Sequence, residues 1–328
     1  MRGKLNRAFL AAAVVALLLA AGAAQAVTID LVTVGNPGNA DDSRYGGYGA
    51  VDYVYQIGKY EVPNAQWREF LNAKAALGDP YGLYNTSMAD TYGGISRSGS
   101  GTVANPYVYT AKGNDANWDN RPVNYVSFWD AARFCNWLHN GQGDGDTESG
   151  AYINIGNQTT FARQEGAKWW IPSEDEWYKA SYHKNDGVTG NYWDYPTGTN
   201  TVPSNQLINP DPGNNANFYQ DGYTIGGPYY TTVVGEFENS ESPYGTFDQG
   251  GNLREWNETA IGSSRGLRGG YWSINSSSLR ASSRGIFDPT IENIDIGFRV
   301  ASVPEPGSLA MLVGIALTTL FRRKRKHA

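Results

Sequence analysis

The stretch "YGTFDQGGNLREW", Tyr244 to Trp256, decides the fold of this 328-residue chain. Asp248, Asn252 and Glu255 offer oxygen ligands, and the glycine pair 250–251 lets the backbone turn so that carbonyl oxygens can join them. Hard cations such as calcium take six to eight oxygen ligands. Taken alone, these residues fit a metal-binding loop or a solvated turn followed by a strand equally well.

The first 26 residues have the pattern of a secretory signal. Arg2, Lys4 and Arg7 precede an apolar run, and Ala24-Gln25-Ala26 supplies the small residues that a signal peptidase requires. An uncleaved anchor is the alternative, but the apolar run is short and ends in a cleavage pattern. We therefore expect an exported protein whose mature chain begins at Val27.

The last segment, residues 303–328, forms a second module. Val303-Pro304-Glu305-Pro306 precedes an apolar stretch, Leu309 to Phe321, and the basic run Arg322 to Lys326 follows. The apolar stretch is shorter than the ~20 residues a membrane-spanning helix needs. The segment resembles a PEP-CTERM sorting signal, with an ordinary tail anchor as the alternative. The resemblance implies a transient membrane anchor, processing by exosortase-type machinery, and delivery to the bacterial cell surface or the extracellular space.

The charge of the body between these modules, residues 27–302, argues against two classes of partner. Without the three basic residues of the first module, and the five basic residues and Glu305 of the last, 18 Lys and Arg remain against 31 Asp and Glu, a net charge near −13. Such a charge disfavours binding to nucleic acid and to anionic membrane surfaces. The one cysteine, Cys135, permits no intrachain disulfide, so something else has to stabilise this exported, glycine-rich chain.

Helical signals occur in three segments, and strand signals in four. Ser127 with Asp130 and Ser173 with Glu176 have the spacing of capping boxes. The predicted helices lie within residues 63–78, 127–141 and 172–180, the first two ending at glycine, and the predicted strands within 51–62, 231–237, 266–272 and 296–302. Long irregular tracts rich in Asn, Gly, Pro and Tyr separate them, above all residues 182–230.

Six ordered motifs carry a family resemblance: "YEVPNAQWREFLNA", "RPVNYVSFWDAARFCNWL", "IPSEDEWYKA", "YGTFDQGGNLREW", "LRGGYW" and "IGFRV". Their order and spacing are similar to those of the formylglycine-generating enzyme (sulfatase-modifying factor) family, over most of residues 51–301. An insertion lies around residues 81–117. The resemblance implies a single α+β domain related to C-type lectins, with about three helices, short strands, much irregular loop and bound structural calcium.

The resemblance also implies the calcium ligands. One cation would take two side chains and two backbone carbonyls, those of Asp248, Glu255, Gly251 and Leu253. Asp248 stands where the family often has Asn, which keeps the oxygen ligand and adds charge. A second cation would use Asn217 and the carbonyl of Phe218, although its further acidic ligand has no clear counterpart in this chain.

The region after the double glycine decides the chemistry. In the family's oxidases, two cysteines there hold copper(I), which requires soft thiolate ligands. This chain has "SINSSSLRASSR", Ser273 to Arg284, and no cysteine in it. Copper is therefore not expected, and no catalytic residue is assigned. We expect Cys135 to be a buried helix residue, and His139 and His183 lie too far apart in sequence to form a clustered iron site.

The combined prediction is an exported, surface-displayed protein of the sulfatase-modifying-factor fold that lacks the copper cysteines. It would be a calcium-stabilised binding or extracellular-matrix protein whose ligand is a polysaccharide or another protein. This inference is a fold-level analogy. The alternative is a formylglycine-generating oxidase acting on a sulfatase cysteine. The aromatic segments "NYWDYP" and "GGPYY" fit a ligand surface and a buried core equally well.

Overall fold

Twelve short strands carry the regular hydrogen bonding of the sheets in the computed structural model, which describes residues 26–304. They are β1 (Leu31–Val34), β2 (Tyr55–Gly58), β3 (Ile95–Ser98), β4 (Val108–Ala111), β5 (Tyr152–Ile153), β6 (Ala162–Arg163), β7 (Trp169–Trp170), β8 (Arg254–Ile261), β9 (Ser264–Arg268), β10 (Gly285–Phe287), β11 (Ile296–Gly297) and β12 (Ala301–Ser302). One sheet has the order β1-β2-β12-β7, a second has β10-β9-β8-β11, and β3–β4 and β5–β6 are separate hairpins.

Three helices lie where the sequence predicts them: α1 (Asn64–Lys74), α2 (Phe128–His139) and α3 (Glu174–Tyr182). Both predicted capping boxes are formed, with Ser127 accepting from the backbone N–H of Asp130 and Ser173 from that of Glu176. α1 and α2 end before the predicted glycines, because Ala75 and Asn140 already cap them. The fold is therefore the mixed α+β domain that was expected.

The strand predictions are confirmed in three segments and wrong in one. β2 lies within residues 51–62, and β9 begins two residues before the predicted segment 266–272 and overlaps it at 266–268. Residues 296–302 are divided between β11 and β12 of different sheets. Residues 231–237 form turns instead of a strand. Their backbone N–H groups bond elsewhere: that of Thr232 to the side chain of Asn252 and that of Val234 to the carbonyl of Asn120.

Aromatic rings on α1 and α2 form the centre of the core. Trp67 packs on Phe70 at 5.1 Å between ring centroids, and Phe70 on Phe134 at 5.4 Å. Phe298, which precedes β12, contacts Phe134 at 5.6 Å. Cys135 is fully buried in this layer, as its place on the apolar stripe of α2 predicts.

An irregular tract of residues 183–253 joins α3 to β8. Side-chain amides and carboxylates replace the missing backbone ladder. The amide of Asn205 donates to the carbonyls of Phe218, Gln220 and Gly222. Asp211 accepts from the backbone or side chain of four residues of the same tract, at positions 213, 215, 239 and 240. A loop of this length is stable because buried polar side chains tie it down.

The two terminal modules of the sequence lie almost entirely outside the described residues, which exclude 1–25 and 305–328. The signal segment, the apolar stretch Leu309 to Phe321 and the basic run after it therefore stay predictions. Between residues 26 and 304, no helix has the length and apolar character needed to cross a membrane.

Replacing Ser127 by Ala should lower the free energy of unfolding by about 1–2 kcal/mol, because the N-terminal cap of α2 is buried and loses its acceptor. Urea denaturation measures the difference. Ser98→Ala is the control, since Ser98 is exposed at the end of β3 and caps no helix. Equal midpoints for the two variants would contradict a stabilising role of this capping box.

Candidate functional site

The predicted calcium loop runs from Asp248 to Glu255 and leads into β8. Asp248, Gly251 and Asn252 have φ angles of 61°, 93° and 53°, so the backbone curls through the left-handed region. A Cβ at Gly251 would lie 2.2 Å from the carbonyl oxygen of Asn217, an approach that only glycine permits. Asn217, which the sequence assigns to a second ion, is therefore in contact with the first loop.

Glu255 is fully buried and forms an ion pair with Arg299, which is also fully buried. The guanidinium donates to both carboxylate oxygens, at 2.6 and 2.7 Å, and the indole N–H of Trp177 donates to one of them at 2.8 Å. Arg299 also donates to the carbonyls of Gly58, at 3.0 Å, and Phe247, at 2.8 Å. Its donors therefore connect β8, the end of β2 and the irregular tract.

Two further carboxylates surround this pair. Glu61 accepts from the backbone N–H of Leu253 at 3.1 Å, and burial, reinforced by Glu255 and Asp248, raises its pKa well above the usual range. Burial also raises the pKa of Asp248 to about 6. One guanidinium thus faces three carboxylates. A low-dielectric interior disfavours such an excess of negative charge, so protons or another cation have to balance it.

The side chain of Asn217 is buried beside the loop. Its amide donates to the carbonyl of Tyr230 at 3.0 Å and to the side-chain oxygen of Asn252 at 2.9 Å. Its own Oδ1 is buried and has no donor among residues 26–304. The carbonyl of Phe218 accepts from the hydroxyl of Thr224 at 3.2 Å. Since buried polar atoms are almost always paired, the Oδ1 of Asn217 is an available ligand atom.

The oxygen atoms around the loop are chemically suited to binding a hard cation. The excess of carboxylates and the unpartnered amide oxygen of Asn217 both favour such an ion, and backbone carbonyls would complete its coordination. Between residues 26 and 304, no three Asp, Glu, His or Cys side chains gather in a geometry that could hold a metal ion. Calcium here would therefore depend on amide and carbonyl oxygens, and Glu255 would share its carboxylate between the ion and Arg299. Calcium binding stays a prediction.

The double glycine ends β9 and turns the chain back on itself. Gly269 and Gly270 have φ angles of 99° and 72°. A Cβ at Gly270 would lie 3.1 Å from the backbone of Ser278, which shows how closely the serine-rich segment packs on the turn. The backbone N–H of Trp272 donates to the carbonyl of Asn252 at 3.0 Å. The edge that follows β9 is thus attached directly to the candidate calcium loop.

The serine-rich segment contains no ligands for copper(I). Residues 271–284 form turns, bends and one short 3-10 helix, Ser276–Leu279, before β10 begins. The single thiol of the chain, Cys135, is buried in α2, and burial raises its pKa well above the usual range. His139 accepts from a backbone N–H, and His183 bonds to a tyrosine hydroxyl. The residues therefore do not fit a copper pair.

Five aromatic side chains meet beside this segment and define the aromatic patch: Tyr92, Tyr219, Tyr223, Tyr230 and Trp272. Trp272 is 4% exposed and lies at its centre, with the ring centroids of Tyr230, Tyr92 and Tyr223 at 4.8, 5.5 and 5.6 Å. Tyr219 and Tyr223 form the outer rim, 42% and 47% exposed. The patch presents tyrosine edges and faces over a buried tryptophan.

The sequence located only part of this patch. "GGPYY" contributes Tyr230, whereas Tyr192 and Tyr195 of "NYWDYP" are buried in the core, so the two segments have different roles. Tyr92 comes from the insertion around residues 81–117, and no sequence signal marked it. Residues far apart in the chain meet here because the irregular tract folds over the end of β9.

Replacing Arg299 by Met should lower the free energy of unfolding by roughly 3–5 kcal/mol, because it leaves buried carboxylates without their positive partner. Chemical denaturation monitored by tryptophan fluorescence measures the loss. Arg280→Met is the matched control, since Arg280 is exposed and stacks only loosely, 5.5 Å from the ring of Tyr195. A loss no larger than that of the control would contradict a central role for the ion pair.

Comparisons with known proteins agree with this architecture. Residues 50–303 match the model of the sulfatase-modifying factor enzyme 1-like domain. Variable protein 1 of Treponema denticola is 19% identical, with a TM-score of 0.53 over 86% of this chain and 98% of that chain. PvdO from Pseudomonas aeruginosa is 18% identical, with a TM-score of 0.47 over 85% and 93%. At 19% identity, the likeness to the Treponema protein shows the fold alone. No curated protein sequence matches the chain. The family match spans most of the chain, and the protein therefore belongs to the family of sulfatase-modifying factor enzyme 1-like (FGE-sulfatase) domains.

Proposed function

We propose that this protein is an exported, surface-displayed binding member of its family, without copper oxidase chemistry, and that its ligand is a polysaccharide. The observation that carries the proposal is the aromatic patch, because it lies beside the segment where the oxidases of the family hold copper. Its export and display rest on the two terminal modules of the sequence.

The chemistry of the patch suits a sugar ligand. Tyr219 and Tyr223 are exposed with ring centroids 5.2 Å apart, and Tyr223 also contacts Tyr230 at 5.5 Å. A sugar ring has an apolar C–H face, which packs on aromatic faces, while its hydroxyls bond to the tyrosine hydroxyls at the edges. Contiguous exposed aromatic surface on a soluble domain is typical of an interaction site.

The patch is held rigidly by the candidate calcium loop. Asn217 donates to the carbonyl of Tyr230, and Asn252 accepts from the backbone N–H of Trp272. The backbone N–H of Tyr219 bonds to the carbonyl of Ile274 at 3.0 Å. A surface fixed before binding loses less conformational entropy when the ligand arrives. A calcium ion in the loop would therefore stabilise the binding surface as well as the fold.

The alternative, oxidation of a sulfatase cysteine, needs two thiolates for copper(I). The chain has one cysteine, and it is buried in α2. The serine hydroxyls after the double glycine are poor ligands for this soft ion. No residue pair of this chain can therefore bind copper(I), and oxygen activation by copper has no support. We prefer the proposal that the protein binds a polysaccharide.

Calcium should raise the melting temperature of the protein, and chelation with EDTA should lower it, because an ion that binds only the folded state adds free energy of unfolding, about 2.7 kcal/mol at 100 times its Kd. Asp248→Ala should remove most of this calcium-dependent difference, because it deletes an oxygen ligand of the ion. Asp288→Ala is the control, since Asp288 is an exposed residue that caps its own turn. An unchanged melting temperature after chelation would refute the calcium assignment.

Tyr223→Ala should weaken polysaccharide binding about tenfold, because an exposed aromatic contact of this kind contributes roughly 1–2 kcal/mol. Affinity electrophoresis of the body, residues 27–302, in gels containing dextran, laminarin, alginate or polygalacturonate measures the retardation. Tyr81→Ala is the control, since Tyr81 is 43% exposed and lies outside the patch. Retardation that Tyr223→Ala leaves unchanged would overturn the role of the patch, and no retardation by any polymer would favour a protein ligand.

A further inference from the structure

A cavity of about 290 Å³ lies next to the aromatic patch, between β9, β10 and the serine-rich segment. We call it the arginine pocket, after three of the residues that line it, Arg254, Arg268 and Arg284. Gly270 and Ser278 also line it, so it lies at the turn where the chain leaves β9. Its volume is at the lower limit for small-molecule sites, which suits a single sugar unit.

The walls of this pocket carry more positive than negative charge. Arg268 and Arg284 share one carboxylate, that of Glu174, at 2.7 and 2.5 Å. Arg254 pairs with Asp295 at 2.6 Å. Three guanidinium groups therefore face two carboxylates. In a body with a net charge near −13, a net positive pocket opposes the overall field and selects for anionic groups.

Two of the three arginines have hydrogen-bonding capacity to spare. Arg268 is saturated: it bonds to Glu174 and to the carbonyls of Ala281 and Ser283. The Nε atoms of Arg254 and Arg284 are buried, and neither has an acceptor among residues 26–304. The side chains of Arg254 and Arg284 remain 17% and 24% exposed, so the accessible N–H groups of their guanidiniums can donate to an anion in the pocket.

The guanidinium of Arg254 lies over two aromatic rings, which help to hold it in place. It lies 4.5 Å from the ring centroid of Tyr271 and 5.1 Å from that of Phe287. Tyr271 lines the pocket, and its ring centroid is 6.3 Å from that of Trp272 in the aromatic patch. Patch and pocket are therefore adjacent, and one ligand can contact both.

We propose that the arginine pocket binds a carboxylate or sulfate group of the same glycan that packs on the aromatic patch, so that the ligand is an acidic polysaccharide. The proposal rests on the polysaccharide-binding function and narrows its ligand class. A uronic acid or a sulfated sugar combines an apolar ring face and an anionic group within one residue. This matches an aromatic surface beside a small cationic pocket.

Calorimetric titration of the body, residues 27–302, with oligogalacturonate and with its methyl ester tests the proposal, because the two probes share one sugar backbone and differ in charge. The acid should bind about tenfold more tightly than the ester. Arg284→Met should remove this preference and leave the affinity for the ester unchanged; Glu174 stays paired with Arg268 in this variant. Arg280→Met, outside the pocket, should keep the preference.

Two further titrations complete the test. The first compares the affinity for dextran sulfate with that for neutral dextran, and the second uses hexaglutamate, an anionic peptide without a sugar. A preference for dextran sulfate that Arg284→Met removes would support the proposal with sulfate as the anion. Equal affinities for the charged and neutral member of each pair, both weakened by Tyr223→Ala, would overturn the acidic-ligand proposal and leave the polysaccharide function standing. Binding of hexaglutamate alone, or of no probe, would overturn both.

Discussion

The buried ion pair between Glu255 and Arg299 is the interaction on which the rest of the structure depends. Its guanidinium donates to the end of β2 and to the irregular tract, while the carboxylate belongs to β8. One side chain thus joins both sheets and the loops between them. Removing a partner from such a pair leaves a buried charge with no compensation, which is why a pair of modest net stability can still fix a unique fold.

The same cluster explains how a chain with little regular structure presents a rigid surface. About seventy residues between α3 and β8 form no helix or sheet of their own. Polar side chains such as those of Asn205 and Asp211 form hydrogen bonds with their backbone groups instead. Asn217 and Asn252 then connect this tract to the edge after β9. A binding surface built on loops is precise only when buried contacts of this kind support it.

The edge after the double glycine carries serines and no thiol of the kind that copper(I) requires. Gly269 and Gly270 turn the backbone there through positive φ angles. Around the turn, tyrosines and arginines supply apolar faces and positive charge instead. These groups suit the polysaccharide-binding function proposed above, whereas they offer no soft ligand for copper(I).

The sequence by itself determined the elements whose signals are local. The capping boxes of Ser127 and Ser173 determined where α2 and α3 begin, because their hydrogen bonds lie within one helical turn and need no distant partner. The order of the six family motifs indicated the fold, because it can be read along the chain. The sequence placed the predicted ligands Asp248 and Glu255 in one loop and assigned Asn217 to a separate site, and calcium binding at either stays a prediction. Only the tertiary structure decided that Asn217 contacts Gly251, that Thr232 bonds to Asn252 and joins no strand, and that Tyr92 meets Trp272. These contacts link residues far apart in the chain, and packing and buried charge, which no local pattern encodes, determine them.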